Sequence, residues 1–161
     1  MKNRAFTFTT PLKLRETHRC DVMMIPKQRV LFICIHNSIR SQIAEGYMNA
    51  RLGDRFEALS AGMEKTRVHP MAIEVMEDLG IDISGQQSKA LDEFLGESFD
   101  IMVTVCDPAQ GSCPFYPGAT RLIHKSFPDP SQYTGSTDKV REEFRRVRDE
   151  IIHWIEREFH P

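Results

Sequence analysis

The sequence predicts a doubly wound α/β domain built on a mostly parallel sheet. Short apolar runs alternate with longer segments whose apolar residues recur at helical spacing. The short runs lack polar alternation, which suits strands buried on both faces. At 161 residues, 40% hydrophobic and 27% charged, the chain fits one domain with a substantial core.

The elements follow in order from residue 29. Val30 to Ile33 are apolar, mostly β-branched or aromatic, and give a strand at 29–34 ending in Cys34. Ile43, Ala44, Tyr47 and Met48 mark one face of a helix at 39–52. "GDRF" turns the chain into a second strand, "FEALSAG" at 56–62. In "HPMAIEVMEDLG", Pro70 suits the first helical position and Gly80 the position after the last turn. "GIDIS" is a connector and "SKALDEFLGE" a short helix. "FDIMVTVC" at 99–106 is a buried strand that again ends in cysteine, and "TRLIHKSF" at 120–127 is a fourth strand. A last helix at 137–159 has Ser136 as its N-cap, with Val140, Phe144, Val147, Ile151 and Ile155 on its buried face. Residues 1–28 have two prolines and no periodicity, and are expected to form a flexible N-terminal extension to a single domain at 29–161.

Composition narrows the function. A formal net charge of −2 gives no general attraction to nucleic acid or anionic membranes. No apolar run approaches the ~20 residues that span a bilayer, and the N-terminus does not read as a secretory signal. A cytoplasmic location is expected, where the four cysteines stay reduced. Cys20, in the extension, has no derivable role.

The segment "VLFICIHNSIRSQ" is the candidate site. Doubly wound sheets bind ligands at the carboxyl ends of their strands, where Cys34 and Cys106 both fall. Five residues separate Cys34 from Arg40. At a strand-to-helix junction, Ile35, His36, Asn37, Ser38, Ile39, Arg40 and Ser41 can curl inward-pointing amides around a tetrahedral oxyanion. The helix N-terminus would reinforce them. Arg40 adds a planar charged fork, and Cys34 is placed as a nucleophile.

"VLFICIHNSIRSQIAEGYM" and "LSAGMEKTRVHPMAIEVMEDLGIDISGQQSKALDEF" resemble the low-molecular-weight tyrosine phosphatase superfamily, and the similarity runs from Arg29 to Phe159. It implies a three-layer fold with a four-stranded parallel sheet. It also implies a general acid in the late Asp-Pro pair, which here is Asp129-Pro130. Read locally, Asp129 is a carboxylate that Pro130 holds in an extended conformation, serving either as a turn residue or as a proton donor to a leaving oxygen.

"VTVCDPAQGSCPFYPG" adds Cys106 and Cys113, with six residues between them. Structural cysteines and a metal pair are both open readings, although the gap exceeds common zinc spacings and no second pair exists. No metal is expected. A third reading is a thiol relay, in which Cys34 attacks arsenate, Cys106 attacks Cys34, and Cys113 attacks Cys106. The sequence is also similar to thioredoxin-coupled arsenate reductases, in Ser41-Gln42, Glu45-Gly46, the cysteine pair and "RVRDEI". That resemblance implies this relay, no bound cofactor, and thioredoxin as the external reductant.

Two departures from the family stand out. His36 occupies a position that is usually Gly in the phosphatases. Some such reductases bind potassium through an Asn, a Glu, a Ser and an Asp. Asn37, Glu45 and Ser60 match the first three, but Lys89 stands at the fourth. The expectation is that the Lys89 ammonium pairs with Glu45 in place of the ion. Two other functions remain open: a tyrosine phosphatase using Cys34, Arg40 and Asp129 with Tyr116 or Tyr133 as an aromatic rim, and a non-enzymatic oxyanion-binding or thiol-sensing module.

Overall fold

The computed structural model describes residues 26–106 and 117–160. A four-stranded parallel sheet runs through it, with β1 at Gln28–Cys34, β2 at Phe56–Gly62, β3 at Phe99–Thr104 and β4 at Ala119–His124. Its spatial order is β2-β1-β3-β4. Three helices accompany it among the described residues: α1 at Arg40–Arg51, α2 at Pro70–Glu77 and α3 at Thr137–Glu158. Chain direction across the sheet reverses around β1. After α1 the chain steps to β2 on one side, and after α2 it crosses to β3 on the other. That makes the carboxyl ends of β1 and β3 the switch point, where this topology opens its crevice.

The unbroken apolar run of β1 is explained by its central place, since Val30, Leu31, Phe32 and Ile33 are fully buried. Val30, Phe32 and Cys34 face the cluster formed with α1, α2 and α3. Leu31 and Ile33 face Phe94, Phe99 and Met102 on the other side. That second face is covered in part by a 3-10 turn at Leu91–Phe94, which is all that forms of the expected short helix. One turn fixes several backbone torsions for few hydrogen bonds and does not propagate.

Other boundaries shift slightly. β3 ends at Thr104, so Cys106 lies two residues beyond the strand, though Val105 still donates to the Ile33 carbonyl at 2.8 Å. β4 ends at His124, and Lys125 makes the last bond to Thr104. Ser136 has N-cap geometry, but its side chain makes no capping hydrogen bond. In α2, Pro70 is the first helical residue, His69 is the cap, and Gly80 follows with φ 70°, a conformation an L side chain resists. The expected residues of α3 form its buried face, with Val140 partly buried. No described helix is long and apolar enough to cross a membrane.

Tyr47 ties α1 to α3 by donating to Glu156 at 2.7 Å. Burial first, and then Glu156, push its pKa up to about 12. A pKa raised on folding stabilises the fold fully below the ordinary tyrosine range near ~10 and loses that effect as pH rises toward the folded value. Tyr47→Phe should lower unfolding free energy by roughly 1 kcal/mol at pH 7. In denaturant titrations, the gap to wild type should close between pH 10 and about 12.

Candidate functional site

The loop between β1 and α1 is shaped by where its carbonyls go. The Cys34 and Ile35 carbonyls accept from the amides of Met63 (3.3 Å) and Glu64 (2.9 Å). The His36 carbonyl accepts from the Thr66 hydroxyl at 2.8 Å and from Ser88 at 3.3 Å. The Asn37 carbonyl takes Gln42 Nε2 at 3.0 Å, and the Ser38 carbonyl takes the His69 amide at 3.0 Å. Ser38 Oγ returns a bond to the Arg67 carbonyl at 2.8 Å. Residues 63–69 thus clamp the outside of the loop. The amides of His36, Ser38, Ile39 and Arg40 make no hydrogen bond to the described residues, as an anion cradle requires.

Asn37 turns the loop with φ 46°, a left-handed conformation that Asn tolerates. Its amide donates to Cys34 Sγ at 3.1 Å. Its side-chain Nδ2 donates to Ser41 Oγ (2.9 Å) and Ser60 Oγ (2.8 Å). Ser41 Oγ lies 2.9 Å from the sulfur, and because it accepts from Asn37 its own proton is directed there. Cys34 therefore receives two hydrogen bonds suited to a sulfur anion. Gly62 packs against this turn. A Cβ there would lie 2.7 Å from the Asn37 nitrogen and 2.8 Å from the Ile35 oxygen, so only glycine lets β2 approach.

Arg40, 4% exposed, donates from one guanidinium nitrogen to the Phe127 carbonyl at 3.0 Å and from the other to Asp129 Oδ2 at 3.1 Å. A guanidinium has five N–H groups, so the remainder are left for a ligand. Asp129 Oδ1 accepts from the amide (3.0 Å) and hydroxyl (2.7 Å) of Ser131. Those bonds cap the 3-10 turn at Pro130–Gln132 and aim the carboxylate at the same pocket. The pocket, about 260 Å³, brings Cys34, Arg40, Asp129 and His69 together.

Of the remaining expected residues, His36 is half-exposed and its Nδ1 lies 3.2 Å from Glu64 at the pocket rim. Cys106 is 3% exposed and follows Val105, whose amide is bonded to the Ile33 carbonyl near the carboxyl end of β1. Cys113 and Tyr116 lie outside the described residues. Tyr133 is away from the pocket, with its hydroxyl accepting from Arg146 at 3.1 Å. The clamp roles of Thr66, Ser88 and Gln42 were not legible in the sequence, where Gln42 stood only as part of the resemblance to the reductases.

Behind the loop, Lys89 Nζ lies 3.3 Å from Glu45, and Ser60 Oγ donates to the same carboxylate oxygen. Burial raises the Glu45 pKa, while Ser60 and Lys89 oppose the rise. Asn37 Oδ1 is occupied by the Lys89 amide at 2.7 Å and Gln42 at 3.0 Å. The ammonium thus supplies the positive charge here, and Asn37 turns N–H groups, not oxygen, toward Ser60. No group of three or more His, Cys, Asp or Glu among the described residues has a metal-holding arrangement.

A family model described as low molecular weight phosphotyrosine protein phosphatase matches residues 29–158. An arsenate reductase of Halalkalibacterium halodurans is 42% identical over 125 residues, 78% of this chain and 90% of its own. The solved structure of an arsenate reductase in its phosphate-binding state superposes with a TM-score of 0.70 at 32% identity, over 81% of this chain and 95% of its own. A thioredoxin-dependent arsenate reductase of Corynebacterium glutamicum superposes at 0.56 with 29% identity, over 81% and 63%.

Gly62→Ala should cost about 1–3 kcal/mol of stability through overpacking and weaken binding of inorganic phosphate at least tenfold, read by calorimetry. Lys89→Met leaves Glu45 buried beside no cation and should cost about 2–3 kcal/mol at pH 7. Because the Glu45 pKa is raised on folding, that loss should shrink as pH falls below the ordinary glutamate range, where the group is protonated folded or unfolded. Adding Glu45→Gln should recover part of it, and wild-type phosphate affinity should be equal in sodium and potassium salts at one ionic strength.

Proposed function

The chain belongs to the low molecular weight phosphotyrosine protein phosphatase family, and we propose that it is an arsenate reductase acting through Cys34, Cys106 and Cys113. The observation that carries this is a second buried cysteine, Cys106, just past the β3 end of the switch point that holds Cys34 at β1. Hydrolysis of a phosphate ester needs one nucleophilic thiol, and in a phosphatase the extra cysteines would serve only as redox protection. Among the described residues the pocket lining also holds no Phe, Tyr or Trp to grip a phosphotyrosine, and Tyr133 is turned to Arg146. The phosphatase alternative, using Cys34, Arg40 and Asp129 alone, has less support.

The steps balance. The inward amides and Arg40 bind arsenate, and the Cys34 thiolate attacks arsenic while Asp129 protonates the departing oxygen, releasing water. Cys106 then attacks the Cys34 sulfur. The S–As bonding pair passes to arsenic, As(V) becomes As(III), and arsenite leaves a Cys34–Cys106 disulfide. Cys113 attacks Cys106 and frees Cys34, moving the disulfide to Cys106–Cys113. Two thiols supply the two electrons, and no bound cofactor takes part. An external dithiol, thioredoxin by analogy with the relative from Corynebacterium glutamicum, restores the pair. Such a relay runs in a reducing compartment, so we place the chain in the cytoplasm. Residues 29–161 form the catalytic domain, with 1–28 an N-terminal extension.

Arsenate should drive NADPH consumption by thioredoxin reductase and thioredoxin in the presence of this protein. Cys106→Ser or Cys113→Ser should abolish steady-state turnover, and Asp129→Asn should slow it about 10²–10³-fold. No arsenate-dependent turnover, alongside aryl phosphate hydrolysis indifferent to both cysteine substitutions, would make the protein a phosphatase.

A further inference from the structure

His69 has three ties, and one of its ring nitrogens is left over. Its backbone amide donates to the Ser38 carbonyl of the anion loop at 3.0 Å. Its Nδ1 caps α2, accepting from the Met71 amide at 3.1 Å. Its ring packs on Phe144 at 5.0 Å between centroids, tilted by 35°. An imidazole that accepts at Nδ1 carries its proton on Nε2 when neutral. That N–H makes no hydrogen bond to the described residues, and the ring lines the pocket with Cys34, Arg40 and Asp129.

We propose that His69 Nε2–H donates to an outer oxygen of the bound oxyanion, making His69 a further oxyanion-binding residue of the pocket. This rests on the oxyanion assignment above. The other pocket histidine, His36, is turned to Glu64, so the two are not equivalent. Burial first, and then Arg67, keep the His69 ring below the usual imidazole range, while Asp129 pulls the other way. The neutral donor tautomer is thereby favoured near pH 7. Protonation would occur at Nδ1 and would cost α2 its cap.

The helix cap provides a clean test, because Ser and Asp both cap well and neither places a donor where Nε2 sits. His69→Ser should raise the KM for arsenate and the calorimetric Kd for inorganic phosphate together, about tenfold. It should leave kcat within twofold, the pattern of lost uniform binding, and the variant should stay folded, with a lower melting temperature from the lost packing on Phe144. His69→Asp should weaken phosphate more than His69→Ser does, because it puts a carboxylate against the anion.

Phosphate affinities within twofold of wild type for both folded variants would overturn the proposal even if arsenate is reduced. His69-dependent phosphate binding without arsenate turnover would uphold it and overturn the reductase assignment instead. Absence of phosphate binding and of turnover in wild type would overturn both.

Discussion

The site depends on one constraint: every carbonyl from Cys34 to Ser38 is satisfied on the outside of the loop. A five-residue turn cannot point its amides inward unless its oxygens find donors elsewhere. Met63, Glu64, Thr66, Ser88, Gln42 and His69 provide them. The anion cradle is therefore a non-local object, made as much by residues 63–69 as by the loop itself. Its preorganisation costs nothing at the moment of binding, because the hydrogen bonds that hold it already exist.

The sheet supplies the second requirement, convergence. Reversal of strand order at β1 leaves a crevice between the carboxyl ends of β1 and β3. Cys34 lines that crevice at the end of β1, Cys106 follows the end of β3, and Asp129 arrives from the segment after β4. Arg40 joins the parts, since one guanidinium spans the Phe127 carbonyl and the Asp129 carboxylate while its remaining donors serve the ligand. The charge pair of Lys89 and Glu45 lies one layer deeper and reaches the sulfur only through Ser60, Asn37 and Ser41.

Local signals in the sequence were read correctly where local physics decided. The apolar run of β1, and Pro70 and Gly80 around α2, act through sterics and burial that neighbours in sequence express. Cys34 and Arg40 were legible for the same reason, since strand end and helix start bracket them. The pairing of Lys89 with Glu45 came from a family departure, and the structure shows that contact. Other features were settled by tertiary context. Ser136 has the residue type of a cap and no capping bond, and the 91–94 segment shortens to a single turn. The clamp was invisible because Thr66 and Ser88 look like ordinary loop residues until the fold sets them against the His36 carbonyl. His69 read as the start of a helix, and its second role needed the pocket to be seen.

The central claim is that a thiol, not water, resolves the intermediate on Cys34. One equivalent of arsenate should be mixed with fully reduced Cys113→Ser protein without any external reductant, and its disulfides mapped by mass spectrometry. A Cys34–Cys106 disulfide formed in step with one equivalent of arsenite is the predicted result. Full retention of both thiols with no arsenite released would contradict it.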